Sequence, residues 1–550
     1  MTKRVCVVGA GAAGLTTTKW CLQEGLDVIC YDKRALVGGL WSLEDEVSRA
    51  DLNNPADIQC RPFATCQTND NKEAFAFSDF RLPKDCPINL VPRRVGQYLE
   101  DYTDHFNLRP HIKLNTRVVN IKRKHNDHGW LVTTKPIGES HEKVRTDEVD
   151  AVVICSGSFN RQYRPSVKGI ESFKGEISHA GDFYRPDKFR SKNVLVIGGS
   201  TYASEIACDI SREAEQTYLS ARHGLWPMQR MIGGMPYQYT PIWSRYTNLR
   251  YNVSQFDQLF GPFLRRRFNF RDYSMEPTRG LCRMQVATCD DIEFRIAAGA
   301  LTMKGEIKEM TKNRVTFKDG SSIDGIDSIV FATGFKLSLD FLEEDPSLGP
   351  FEPSTSYKYV IPVEDESRSL CFVGLVYMMG PNLVCIELQA RLAARVIAGK
   401  LMLPSKEEME RSIEKDRMEN KETFGEMETY KQLIWVPPYM ESIAELIGAR
   451  PTPWRIFLLF FMDPKLAHQL LFMFPYAPTY RLYGAHSDWE QSRKFIMEID
   501  ENLLIPLRTV KYPETPQRGC NKIRVLIGCA ILCLIGAWLY SRWITWGRLP

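Results

Sequence analysis

Residues Arg4–Asp32 read RVCVVGAGAAGLTTTKWCLQEGLDVICYD, and this stretch decides the fold. Arg4–Val8 is short, apolar and β-branched, as a strand buried in a parallel sheet is. A glycine turn follows, then a helix predicted from Ala12 to about Glu24, then a second apolar strand, Asp27–Tyr31. The turn, Gly9-Ala10-Gly11-Ala12-Ala13-Gly14, is G-x-G-x-x-G. Alone that pattern is weak. Between a strand and a helix, with Asp32 closing the next strand, it becomes a dinucleotide-binding turn. Gly9 permits the tight turn, Gly11 lets backbone approach a pyrophosphate, and Gly14 lets helix and strand pack closely. The helix N-terminus offers unpaired N–H groups to the phosphates, and Asp32 can accept from a ribose diol.

The pattern recurs. Asn193–Ile197 (NVLVI) is a second buried strand, followed by Gly198-Gly199-Ser200-Thr201-Tyr202-Ala203 and a helix near Tyr202–Arg212. Here Ser200 stands where close phosphate approach calls for glycine, though its hydroxyl could itself bond a phosphate. Ala203 is within the tolerance of the third position. Ser204 and Glu205 lie one turn into the helix. The next strand, Gln216–Leu219, leads to Arg222 rather than an acid. An arginine there suits a ribose 2′-phosphate through paired hydrogen bonds, which favours NADPH over NADH. The first turn cannot by itself tell FAD from NAD. Gly38-Gly39-Leu40-Trp41 favours FAD, because a second glycine pair reads as backbone brought close to a flat ligand. Further buried strands are predicted at Asp150–Cys155, Asp327–Ala332 (stopped by Thr333-Gly334) and Leu370–Leu375. Helices are predicted at Pro381–Gly399 and, as a charged solvated face, at Ser405–Gln432.

Several segments resemble the flavin-containing monooxygenases. Phe173–Phe183 (FKGEISHAGDF) is similar to the family fingerprint F-x-G-x-x-x-H-x-x-x-(F/Y). Gly38–Trp41 resembles its GGLW, Phe331–Phe335 its F-A-T-G-(Y/F), and Glu387–Arg391 its ELQ-x-R. Thr68-Asn69-Asp70-Asn71-Lys72-Glu73 matches the segment that places an asparagine over the flavin. The resemblance covers nearly the whole chain. It implies FAD in the first unit and NADPH in the second. It also implies a C4a-hydroperoxyflavin that oxygenates a soft nucleophile, an amine nitrogen or a sulfide sulfur, with O2 as co-substrate. Asn69 is implied as the catalytic residue, touching both flavin and NADP. Thr68, Asp70, Thr333 and Gly334 join the cofactor site. His179, read without the family, is a satisfied interdomain histidine, and the resemblance gives it the same structural role. Ser200 and Tyr202 depart from the glycine and serine of vertebrate-type members. An NADPH oxidase and a Baeyer–Villiger oxygenase are alternatives on the same fold, although the latter's fingerprint usually has Trp where this chain has Phe183. A disulfide reductase needs a redox cysteine pair that Cys60 and Cys66 do not supply. A non-catalytic membrane scaffold is the non-enzyme alternative.

The expected fold class is therefore α/β. It has two Rossmann-like domains, the second inserted in the first, and a C-terminal membrane-associated helical segment. The boundaries expected are 1–165 and 331–445 for the FAD domain and 166–330 for the NADPH domain, with an insertion around 232–285. An apolar region at 446–515 and an anchor at 525–546 complete the chain. Net charge is +4 over 550 residues, which gives no case for nucleic acid. The 15 cysteines are spread as reduced thiols are, and no metal-ligand spacing occurs; His125 and His128 lie in a polar stretch and read as solvated. No signal peptide fits before the first strand. Trp454–Met462 and Leu470–Tyr476, broken by Asp463-Pro464, read as a surface lying in a membrane interface. Val525–Tyr540 is an uninterrupted apolar run of 16 residues preceded by Arg518, Lys522 and Arg524. At about 1.5 Å per residue it spans about 24 Å, short of a full bilayer unless extended through Trp546. It reads as a tail anchor or a monotopic insertion, with membrane lipid as a partner and a cytosolic N-terminal side. The resemblance names the endoplasmic reticulum. Both a monomer and a homo-oligomer are compatible with the sequence.

Overall fold

The computed structural model describes residues 2–43, 61–124, 129–138, 144–251, 255–284, 286–343, 352–425 and 433–510. The chain divides into two units, Met1–Pro506 and Leu507–Pro550; the architecture below is that of the first.

Two five-stranded, all-parallel sheets form its frame. The first runs Leu370–Phe372, Ala151–Ile154, Arg4–Val8, Asp27–Tyr31, Ile112–Lys113. Its central register pairs Val5 with Val28 on one side and Ala151 on the other. Every residue of Ala151–Ile154 is buried, which is why these strands are unbroken apolar runs. The helix Ala12–Gln23 covers one face and packs against Asn382–Ile397. The second sheet runs Leu301–Lys304, Gln216–Ser220, Asn193–Ile197, Ser328–Phe331, Glu176–His179. Its glycine turn leads into the helix Thr201–Ile210.

Each parallel sheet is accompanied by a three-stranded antiparallel meander that the sequence did not announce. One is Thr116–Arg123, Trp130–Pro136 and Arg145–Val149; the other is Ile307–Met310, Arg314–Phe317 and Ser322–Asp324. The chain leaves the first sheet and later returns to it through a ribbon, in which Arg161–Gln162 pairs antiparallel with Phe335–Lys336. The predicted insertion has a closed neck: Trp226–Met228 pairs in parallel with Val286–Thr288.

The charged helix is shorter than expected. It spans Lys406–Phe424, opens on a Ser405–Glu408 capping box and stops at Gly425, whose φ is +72°. Residues 426–432 lie outside the described residues, as do His125, His128, Cys60 and the anchor 525–546. The two apolar stretches form the short helices Pro453–Met462 and Pro464–Phe472. Asp463 caps the second, its Oδ1 accepting from Leu466 N at 3.3 Å. Their inner face joins Leu482 and Ile496 in a small core of its own. Trp454, Phe457, Leu458, Phe461 and Met462 remain exposed. Among the described residues no helix is long and apolar enough to cross a membrane.

Candidate active site

One cavity of about 970 Å³ lies within the first unit and touches both glycine turns. At the first turn, Gly9 adopts φ +104° and its N–H donates to Tyr31 O at 2.7 Å. Gly11 is the helix N-cap and has no side chain to cap with, so the first N–H groups of Ala12–Gln23 have no side-chain acceptor. Gly9, Gly11, Ala12 and Ala13 line the cavity. This uncapped, side-chain-free cradle fits a pyrophosphate. Gly14 serves packing alone: a Cβ there would stand 1.6 Å from Gly9 O. Asp32 lines the cavity with a partly engaged carboxylate. Oδ2 accepts from Ala10 N at 2.6 Å and Oδ1 from Arg34 N at 2.8 Å. Burial raises its pKa, and these two N–H bonds pull it back.

The Gly38-Gly39 pair has a cause beyond the expected approach to a flat ligand. Gly38 N donates to Ala10 O at 2.9 Å, and a Cβ on Gly39 would meet Gly11 Cα at 2.9 Å. The pair packs on the backbone of the first turn, and both glycines, with Leu40 and Trp41, line the cavity.

At the second turn, Gly198 is needed because a Cβ would come 2.3 Å from Ala332 O. Ser200 is the N-cap, its Oγ accepting from Ala203 N at 3.4 Å, which leaves its own hydrogen to donate. The Tyr202 hydroxyl donates to Arg61 O and its ring lies 5.6 Å from that of Phe63, so this departure from serine ties the helix of the second glycine turn to the segment just before Thr68. Ser200, Tyr202 and Glu205 line the cavity; Ala203 and Ser204 are fully buried and do not line it. Arg222 is exposed beyond the carboxyl end of Gln216–Ser220 and does not line the cavity. The Thr333 hydroxyl is spent on Tyr163 O at 2.5 Å, whereas Gly334 lines the cavity.

His179 closes the strand Glu176–His179. Its Nδ1 accepts from Gly181 N at 3.0 Å, so Nε2 carries the proton and donates to Gly334 O at 3.1 Å. Burial pushes its pKa down to about 4. It stays neutral and structural near pH 7. The Glu387–Arg391 motif is structural too. Glu387 accepts from Ser78 N, Gln389 Oε1 from Gly374 N at 2.8 Å, and Arg391 donates to Tyr480 O at 2.9 Å.

Thr68, Asn69 and Asp70 form one wall. Thr68 is fixed by paired backbone and hydroxyl bonds with Leu90, at 2.8 and 2.9 Å. Asp70 is buried and its pKa rises to about 6 from desolvation, against the donors Tyr237 Oη (2.6 Å) and Gln238 Nε2 (3.0 Å). Asn69 is exposed to the cavity. Arg230, which no sequence pattern marked, grips this wall from behind. It donates to Thr68 O, Gln67 O and Asn69 Oδ1 at 3.1, 3.2 and 3.1 Å. The far end of the cavity is apolar and also went unmarked. It includes Tyr237, Ile242, Phe260, Leu281, Met378 and the stacked pair Trp243–Trp435, with ring centroids 4.6 Å apart.

The sequence profile of the flavin-binding monooxygenase-like family matches residues 2–539. Dimethylaniline monooxygenase (N-oxide-forming) 2 of Pan troglodytes is 32% identical over 515 residues, 92% of this chain and 94% of that protein. Flavin-containing monooxygenase 5 of Mus musculus is 33% identical over 522 residues, 92% and 93% of the two chains. Among solved structures, S-allyl-L-cysteine S-oxygenase from Allium sativum superposes with a TM-score of 0.59 at 21% identity, covering 85% of this chain and 95% of that one. NADP+-bound cyclohexanone monooxygenase from Rhodococcus sp. Phi1 gives 0.58 at 16% identity, covering 81% and 98%. These two likenesses are of fold. With both turns opening on one cavity, the chain belongs to the flavin-binding monooxygenase-like family and is an FAD enzyme that uses NADPH and O2 to oxygenate a heteroatom of its substrate.

Proposed function

We propose that this enzyme oxygenates lipophilic amines or sulfides, with FAD on the Gly9–Gly14 turn, NADPH on the Gly198–Ala203 turn and substrate at the apolar end of the cavity. The observation that carries the reading is the one cavity reached by both turns and lined in part by aromatic and aliphatic side chains. Relatives named N-oxide-forming and S-oxygenase agree with nitrogen or sulfur as the atom oxidised. FAD held there would supply the redox chemistry by which NADPH and O2 yield one oxygen atom for the substrate and one molecule of water. The protein's share is position and dryness. The N–H groups of the first turn hold the pyrophosphate, and Asp32 accepts from the ribose. Asn69, on the cavity wall, would offer its amide N–H to the flavin and to NADP, and Arg222 would pair with the 2′-phosphate. Trp243, Trp435 and Met378 exclude water from the reacting atoms. An amine or sulfide brings its own lone pair, so no general base is called for.

The domain division follows: an FAD domain from 1–165 and 331–445, an NADPH domain from 166–330 with its insertion around 232–285, a membrane-facing region at 446–515 and an anchor at 525–546. The exposed apolar face of Pro453–Met462 supports attachment to a lipid surface, and the resemblance makes that surface the cytosolic face of the endoplasmic reticulum. The test is flavin content. Wild-type protein purifies yellow with FAD, and folded Gly11→Val, whose methyl groups meet Gly39 or enter the cavity, retains less than a tenth of it. Full flavin in that variant would overturn the assignment.

A further inference from the structure

We propose that Arg230 is a positioning residue for the oxygenation step: its guanidinium fixes which way the Asn69 amide faces, so that the amide N–H2 is presented to the cavity. The proposal rests on the reading that Asn69 faces the flavin. Arg230 sits just past Trp226–Met228 in the neck of the insertion and is 4% exposed. An arginine has five N–H donors in a rigid fork. Nε takes Thr68 O, and Nη1 takes Asp290 Oδ2 at 2.8 Å. The two N–H groups of Nη2 are shared among Gln67 O, Asn69 Oδ1 and the carboxylate of Glu205. Asp290 also accepts from the Arg230 backbone N–H at 2.9 Å, so the residue is anchored at both ends.

The consequence for Asn69 is chemical. An amide is asymmetric: one branch accepts and the other donates. Here the accepting branch meets a cation. Turning the amide over would set its N–H2 against the guanidinium, donor against donor, and would leave an acceptor facing the cavity. Arg230 therefore selects the donor face. A lysine could not substitute, because one ammonium cannot serve Thr68 O, Gln67 O, Asn69 Oδ1, Glu205 and Asp290 together. The arrangement also joins the two cofactor units. Glu205 belongs to the helix of the second glycine turn and Asn69 to the wall of the flavin end, so one side chain aligns both.

The experiment is a mutant cycle on the full-length FAD-loaded enzyme, reading peroxide released per NADPH consumed, flavin content, and kcat and KM for NADPH. Asn69→Ala, Arg230→Gln and the double variant are compared. We expect each single variant to keep its flavin and raise the peroxide fraction at least threefold, chiefly through coupling and kcat rather than KM. The double variant should match Asn69→Ala, because Arg230 acts through that amide. Asn69→Asp keeps an acceptor for Arg230 but has no N–H, and should leak like Asn69→Ala. It is isosteric, and it stands in should Arg230→Gln fail to fold. If Asn69→Ala leaks and Arg230→Gln does not, or if their effects multiply in the double variant, the proposal is overturned and the Asn69 reading stands. If Asn69→Ala leaves coupling unchanged, the reading itself falls. Full coupling in Asn69→Asp would show that the donor is not what Arg230 secures.

Discussion

Arg222 is the residue to which we assign the choice of NADPH over NADH, and its exposed position bounds what it can contribute. It stands exposed at the end of Gln216–Ser220, beside the turn whose Gly198 N–H donates to Ser220 O at 3.0 Å. Charge-assisted bonds to a phosphate there are worth about 1.5–3 kcal/mol, or roughly 10- to 150-fold. Arg222→Ala should lower kcat/KM for NADPH by that factor and leave NADH nearly unchanged. An unaltered ratio of the two would remove Arg222 from the site. Glu205 gives a second residue-scale outcome. Burial raises its carboxyl from 4.5 to about 7; Arg230 pulls it back in part, while Asp290 and Asp209 push it further up. Between those two values the folded protein holds a proton that the unfolded chain has released. Its contribution to stability therefore falls as pH rises from 4.5 to 7, by about 3 kcal/mol at most. Glu205→Gln, which mimics the protonated form, should match wild type near pH 5 and exceed it in Tm near pH 8. Parallel Tm curves would contradict this. The residues legible in the sequence were those whose demands are local. Gly9, Gly14 and Asp32 sit within one strand–turn–helix, where each backbone requirement names its residue. Arg230 was not legible because Asn69 lies 161 residues away and a lone arginine in MQRMIGG carries no pattern.

Among the elements, the helix Pro453–Met462 carries five exposed large hydrophobic side chains: Trp454, Phe457, Leu458, Phe461 and Met462. At about 1.5 Å per residue it is about 15 Å long and cannot span a bilayer. It can lie in the interface, with Trp454, Phe461 and Met462 65%, 74% and 80% exposed. Burying one such aromatic in lipid contributes about 1.5–3 kcal/mol. Protein cut before Val525 should still co-sediment in part with phosphatidylcholine vesicles. Adding Trp454→Ser and Phe461→Ser should lower the bound fraction more than tenfold. Complete release of the truncated protein before those changes would make the face an ordinary protein surface. Element by element, legibility followed burial. RVCVV, NVLVI and SIVF announce themselves because both faces of a parallel sheet are covered. Arg145–Val149 (RTDEV) and Glu176–His179 (EISH) do not, because a strand at a sheet's edge or in a half-exposed meander alternates weakly and is recruited by its neighbours.

At the scale of the molecule, both glycine turns open on one cavity, and the ribbon of Arg161–Gln162 with Phe335–Lys336 pairs the chain where it leaves the first sheet and where it returns. The duplication was legible from two strand–glycine–helix signals far apart. The apolar part of the cavity was not: Trp243 comes from the insertion and Trp435 from about 190 residues further on, and only the folded chain stacks them. That apolar lining supports the oxygenase reading, because water reaching an oxygenated flavin would release peroxide instead of product. The most direct test supplies ¹⁸O2 and NADPH with a tertiary amine or a dialkyl sulfide, and measures label in the product against NADPH consumed. The account predicts an N-oxide or S-oxide carrying one ¹⁸O for nearly every NADPH. Stoichiometric hydrogen peroxide with unoxidised substrate would contradict it and make the protein an NADPH oxidase.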